Sequence, residues 1–165
     1  MKIWNISIWN ISTRIPEIYG TLIALGLIIY FFIMYLAGWV HIIELRLLNL
    51  LILLAGVYFA LKQYKRTHRG QIDYFHAFTT GMAASAIGTA IFSVFLFLYL
   101  LIDKNLMQSI AENEPLGFYL DPYIAFFMVS MEGIFSGLFV TFLLSNFLAT
   151  RDNIKSVEGH SELIH

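Results

Sequence analysis

Glu132 is the only charged residue in the apolar run from Pro122 to Ala149. An acidic side chain at the centre of a membrane helix costs roughly 2.5–3.5 kcal/mol on insertion scales. Its presence there calls for chemistry or for a partner. Three states are open to it: protonated, ionised and paired with Arg46, or lining a wet cavity and exchanging protons or cations. The first two are structural roles; the third is transport. Counting residues at about 1.5 Å each from the ends of the apolar runs puts Glu132 close to the middle of a membrane. Asn49, Thr89, Ser93 and Tyr30 or Tyr35 fall at similar depth, with Arg46 within a side chain's reach. Glu132, Arg46, Asn49, Thr89 and Ser93 are therefore the candidate buried polar cluster or ion site. The sharpest expectation is a peg, with Glu132 hydrogen-bonded near Asn49 and Ser93 and paired with Arg46.

Enzyme chemistry finds little support. The sequence has no cysteine, so thiol catalysis and thiolate metal sites are excluded. No serine has a histidine at a matching depth, and His76 lies near a helix end, well away from Glu132. Paired acids and His/Glu clusters are absent from the apolar runs. No catalytic residue, metal or cofactor is expected.

A second pattern concerns packing. Gly133 and Gly137 are four residues apart, and Gly81, Ser85 and Gly88 form a similar small stripe. Small residues one helical turn apart open a groove that lets another helix approach closely. The two stripes are expected to pack on each other within the chain, in preference to forming a homodimer seam. Gly133 and Gly137 are expected to tolerate alanine but not leucine or isoleucine.

These residues need helices to position them. The chain is 165 residues long, 59% hydrophobic and 13% charged, more apolar and less charged than a soluble domain. A spanning helix needs about 20 mainly apolar residues, and four stretches qualify: about 19–40, 45–61, 74–102 and 122–149. Their runs lack the alternation of barrel strands. The expected fold is all-α, an integral membrane four-helix bundle. Residues 1–18, with the direct repeat IWNIS, form an N-terminal interfacial segment, and residues 150–165 a polar tail. Between the last two spans, NLMQSIA has the spacing of a short interfacial helix, and Asp121-Pro122 reads as a helix start.

Charge sets the orientation. Four spans put Lys2, Arg14, Lys62, Lys65, Arg66, Arg69, Arg151 and Lys155 on one side, leaving only Arg46 and Lys104 on the other. Basic residues mark the cytoplasmic side, so both termini are expected there. Lys62, Lys65, Arg66 and Arg69 form a basic cytoplasmic loop, read as a topology determinant rather than a site for anionic headgroups. The formal net charge of -1 does not fit a nucleic-acid binder.

The stretch LKQYKRTHRGQIDYFHAFTTGM resembles the signature of a bacterial membrane family catalogued as domain of unknown function 4199. The matching residues are Tyr64, Gly70, Ile72, Phe75, Ala77, Phe78 and Gly81, and the fourth span is similar, with Glu132 followed by Gly133 and Gly137. The resemblance covers most of Ile18 to Asn153. It implies four helices in the inner membrane of a bacterium and brings no activity. The sequence thus points first to a non-enzymatic membrane protein acting by association, as a homodimer or an accessory subunit of a membrane-protein complex in the lipid bilayer. The second reading is a small proton- or cation-coupled transporter centred on Glu132. A water-accessible cavity reaching Glu132 favours transport; a dry, packed Glu132 favours association.

Overall fold

The computed structural model describes residues 14–39, 47–67, 74–113 and 117–162, with side chains described as far as Leu148. The elements are α1 (Ile15–Leu36), α2 (Leu47–Thr67), α3 (Tyr74–Ile102), α4 (Lys104–Asn113), a 3-10 turn (Gly117–Tyr119) and α5 (Pro122–Glu162). Four of them, with α5 counted over Pro122–Leu148, are long and apolar enough to cross a membrane. No strand occurs among the described residues.

The helix boundaries differ from the sequence expectation for local reasons. α1 begins at Ile15, with Pro16 in its first turn, where a missing N–H costs nothing. Ile15 is buried, so the end of the expected interfacial segment is already bundle; residues 1–13 lie outside the described ones. α1 ends two residues before Gly38. The Gly38 N–H donates to the Tyr35 carbonyl, and Trp39 N–H donates to that of Met34. This pairing needs a left-handed residue, and Gly38 has φ 71°. α2 runs six residues past the apolar run that announced it, because Lys62, Gln63, Lys65 and Arg66 are good helix formers. Lys62, Lys65 and Arg66 therefore belong to a helix end rather than to a loop, and Arg69 lies outside the described residues. Within the expected polar tail, α5 continues as helix through Glu162, roughly 20 Å beyond Leu148 at 1.5 Å per residue.

α3 is the hub. It packs along α1 on one side and α5 on the other, while α2 touches all three and α1 and α5 barely meet. α1 and α3 run parallel. Gly20 sits on Ala84 and Ile23 on Gly88, and further along Phe31 meets Phe95 and Tyr35 meets Tyr99. α3 and α5 run antiparallel. Gly133 sits on Thr89, Gly137 on Ser85 and Thr141 on Gly81, so the partners step by four in opposite directions.

One end of the bundle is closed by α4. Asp103 caps it, its Oδ1 accepting the Leu106 N–H at 3.0 Å. Leu106 is buried, and Met107 and Ile110 pack on the core, as the one-sided spacing predicts. α5 then starts with Asp121 as its cap, accepting the Ile124 N–H at 2.7 Å.

Candidate functional site

The weak meeting of α1 and α5 has a consequence inside the bundle. Two helices that both pack on α3 but not on each other leave a wedge, and a cavity of about 190 Å³ fills it. Five helices and Leu120 contribute to its wall. Its polar groups are Tyr30 from α1, Asn49 from α2, Thr89 from α3, and Glu132 and Ser136 from α5. Among the lining residues Glu132 is the only one that carries a charge. The rest of the wall is apolar, and toward α4 it is wholly so, with Met34, Leu96, Leu100, Ile110, Leu120 and Ala125.

Helix register explains why these polar groups converge. Glu132 precedes Gly133, which faces Thr89, so the carboxyl-bearing turn lies level with the middle of α3. Ser136 follows one turn on, at about 40° around the helix, and points the same way. Gly26 faces Ile52, which sets Asn49 level with Tyr30. The polar groups thus occupy the part of the cavity level with the middle of α3, and the apolar roof lies under α4.

The sequence cluster is partly assembled. Glu132, Asn49 and Thr89 line one cavity, joined by Tyr30 and Ser136. Ser93 does not join them. It is fully buried and its hydroxyl has no hydrogen-bond partner, so the expected Glu132–Ser93 hydrogen bond is absent. Glu132 is itself exposed rather than buried, and it stands on the cavity wall. Arg46, the proposed ion-pair partner, lies outside the described residues.

The glycine stripes are spent inside the chain. A Cβ on Gly133 would stand 2.6 Å from Thr89 Oγ1, and one on Gly137 would stand 2.7 Å from Ser85 Cβ. Side chains already fill these grooves, so alanine does not fit without a shift, contrary to the sequence expectation. Gly81 does face α5, across Thr141, but Gly88 faces Ile23 of α1. Gly81 and Gly88 are seven residues apart and only about 20° apart around the helix, so periodicity alone could not separate their neighbours. Gly20, packed on the Ala84 carbonyl at 2.8 Å from where its Cβ would be, was overlooked, although Ala24 one turn on is also small and buried and the pair is a small-xxx-small signal.

A further polar group was missed. Asp103 accepts a hydrogen bond from the Tyr35 hydroxyl on Oδ2 at 2.9 Å, besides capping α4. The Leu106 amide, with the Tyr35 hydroxyl second, holds the Asp103 carboxyl below its usual range. The signal was the N-cap position before NLMQSIA. Phe31, Tyr35, Phe95 and Tyr99 form the aromatic wall beside it, with ring centroids 5.2 Å apart for Phe31 and Tyr99.

A family model described as "Protein of unknown function (DUF4199)" matches residues 18–150. No curated protein and no solved structure matches the chain.

Proposed function

The chain belongs to the DUF4199 family, and from that premise we propose that it is a small, non-enzymatic, multi-pass membrane protein that exchanges a proton or a cation at Glu132. The observation that carries this reading is the cavity of about 190 Å³ with Glu132 on its wall. That volume is room for several waters, and Tyr30, Asn49, Thr89 and Ser136 share its wall with Glu132. The association reading loses its main support, because the grooves of Gly133 and Gly137 are filled by Thr89 and Ser85 of the same chain. A homodimer or larger complex would have to use other faces. The surplus of basic residues on the side of both termini supports a cytoplasmic position for both, in an inner membrane.

The test uses the full chain in liposomes. A hydrophobic carbodiimide attacks protonated carboxyls that it can reach, and peptide mass spectrometry locates the adduct. Labelling at Glu132 that declines as the pH is raised is expected. In proteoliposomes loaded with a pH-sensitive dye, an imposed cation gradient should drive proton movement that Glu132→Gln abolishes. Equal proton movement in the wild type and Glu132→Gln, or no labelling of Glu132 at any pH, overturns the reading.

A further inference from the structure

The mouth of the cavity faces lipid. Met128 lines the cavity and is 43% exposed. Glu132, one turn on, lines it and is exposed as well. A side chain that lines a cavity and is also exposed stands at its mouth. Both residues lie inside the span Pro122–Leu148, and Glu132 precedes Gly133, which sits on Thr89 in the middle of α3. At that depth the mouth meets acyl chains rather than bulk water. What enters there is a molecule already dissolved in the bilayer.

The wall narrows the choice. Leu100, Ile110 and Leu120 make an apolar end, where water is disfavoured. At the other end Asn49, Thr89 and Ser136 bring N–H and O–H donors. Among the described residues these three side chains make no hydrogen bond, and an unpaired polar group in apolar surroundings is costly. Tyr30 and Glu132 on the same wall are each already engaged, so the donors, not the carboxyl, are what a ligand satisfies. A pure hydrocarbon would leave them unmatched. A charged molecule is scarce in the hydrocarbon through which the mouth is reached. The volume of about 190 Å³ compares with the roughly 150 Å³ cavity that takes up benzene, so a ring with a short polar substituent fits.

We propose that the cavity takes an uncharged, mainly apolar molecule from the bilayer, its hydrogen-bond-accepting oxygen toward Asn49 and its apolar body under α4. The inference goes beyond proton or cation exchange at Glu132 and does not rest on it.

The experiment measures the unfolding temperature of the full chain in lipid nanodiscs, with three probes at equal concentration in the bilayer. They are acetophenone, its planar hydrocarbon isostere α-methylstyrene, and phenyltrimethylammonium. Acetophenone is expected to raise the unfolding temperature by about 3 °C or more at ten times its dissociation constant, because it binds the folded chain alone. α-Methylstyrene should bind roughly fivefold more weakly, the loss of one hydrogen bond, and phenyltrimethylammonium should cause no shift. Asn49→Leu removes the amide at nearly constant volume, so acetophenone and α-methylstyrene should then bind equally. Ala125 is buried on the cavity wall, so Ala125→Leu fills the apolar end and should abolish both shifts. No shift with acetophenone in the wild type overturns the proposal. A shift by phenyltrimethylammonium as large as that by acetophenone overturns the uncharged class. Equal binding of acetophenone and α-methylstyrene in the wild type, or an undiminished preference for acetophenone in Asn49→Leu, removes the oxygen from the ligand's description. An unchanged acetophenone shift in Ala125→Leu means that the probe acts through the bilayer or another face, and overturns the site.

Discussion

Asp103 ties three parts of the molecule together, taking one hydrogen bond from the first turn of α4 and one from Tyr35 of α1. Both bonds favour the charged carboxylate, and its pKa is lowered from the ordinary 3.8. Its contribution to stability is therefore present above that unfolded value and is lost as the pH falls through the lower folded value. Asp103→Asn can still cap α4 but carries no charge. It should lower thermal stability at neutral pH and erase the acid limb of a plot of unfolding temperature against pH. An unchanged acid limb would show that the carboxylate contributes nothing. Glu132 behaves differently because it stands on a cavity wall rather than in the core. Glu132→Gln should shift the unfolding temperature little while abolishing proton movement. A large loss of stability would return it to the role of a structural peg.

At the scale of elements, the α3–α5 seam decides how closely the bundle closes. Thr89 is β-branched and stiff, and its side chain occupies the space over Gly133. Gly133→Ala should cost roughly 1–3 kcal/mol, the usual range for overpacking. Thr89→Ala removes the atoms in the way, leaving Cβ at 3.0 Å from the new methyl, and should restore part of that loss in the double variant. Additive losses, read by thermal unfolding in detergent, would mean that the two helices do not meet there. At the end of α1 the requirement is conformational. Nothing lies within 4 Å of a Cβ on Gly38, but its φ is 71°, so Gly38→Ala should cost about 1–2 kcal/mol through backbone strain alone. An unchanged unfolding temperature would show that the turn after α1 adopts another conformation.

At the scale of the whole molecule, α3 stands between α1 and α5, and the cavity lies where those two helices, both packed on α3, barely meet. α5 is 41 residues long, about 60 Å of helix at 1.5 Å per residue, twice the thickness of a bilayer core. Its last turns therefore extend well past any membrane that contains Glu132 near its middle. The basic residues favour the side on which they extend as the cytoplasm. Reporters fused after His165 and within residues 67–70 should be cytoplasmic, and one near Asn113 should be exported. An exported C-terminus would invert the orientation and put α4 on the cytoplasmic side.

Four spans, their up-and-down order and the cap at Asp121 are local matters. A run of about 20 apolar residues must satisfy its own backbone within lipid, and only a helix does so. Asp121 before Pro122 pairs a free carboxylate with N–H groups that no helix can use itself. The prominence of Glu132 was legible for the same reason, since one charge in an apolar run needs no neighbour to be conspicuous. What surrounds Glu132 was not legible. Ser93 and Thr89 are one turn apart on α3, yet only Thr89 reaches the cavity, because neighbouring helices cover Ser93 completely. Gly88 faces α1 rather than α5, which the stripe spacing alone does not reveal. The helical stretch from Ala149 to Glu162 was hidden as well, since it continues α5 by chain propensity without an apolar pattern to announce it. Above all, a cavity is the volume that three or more helices fail to fill, and no single stretch of sequence records how far α1 and α5 stand apart.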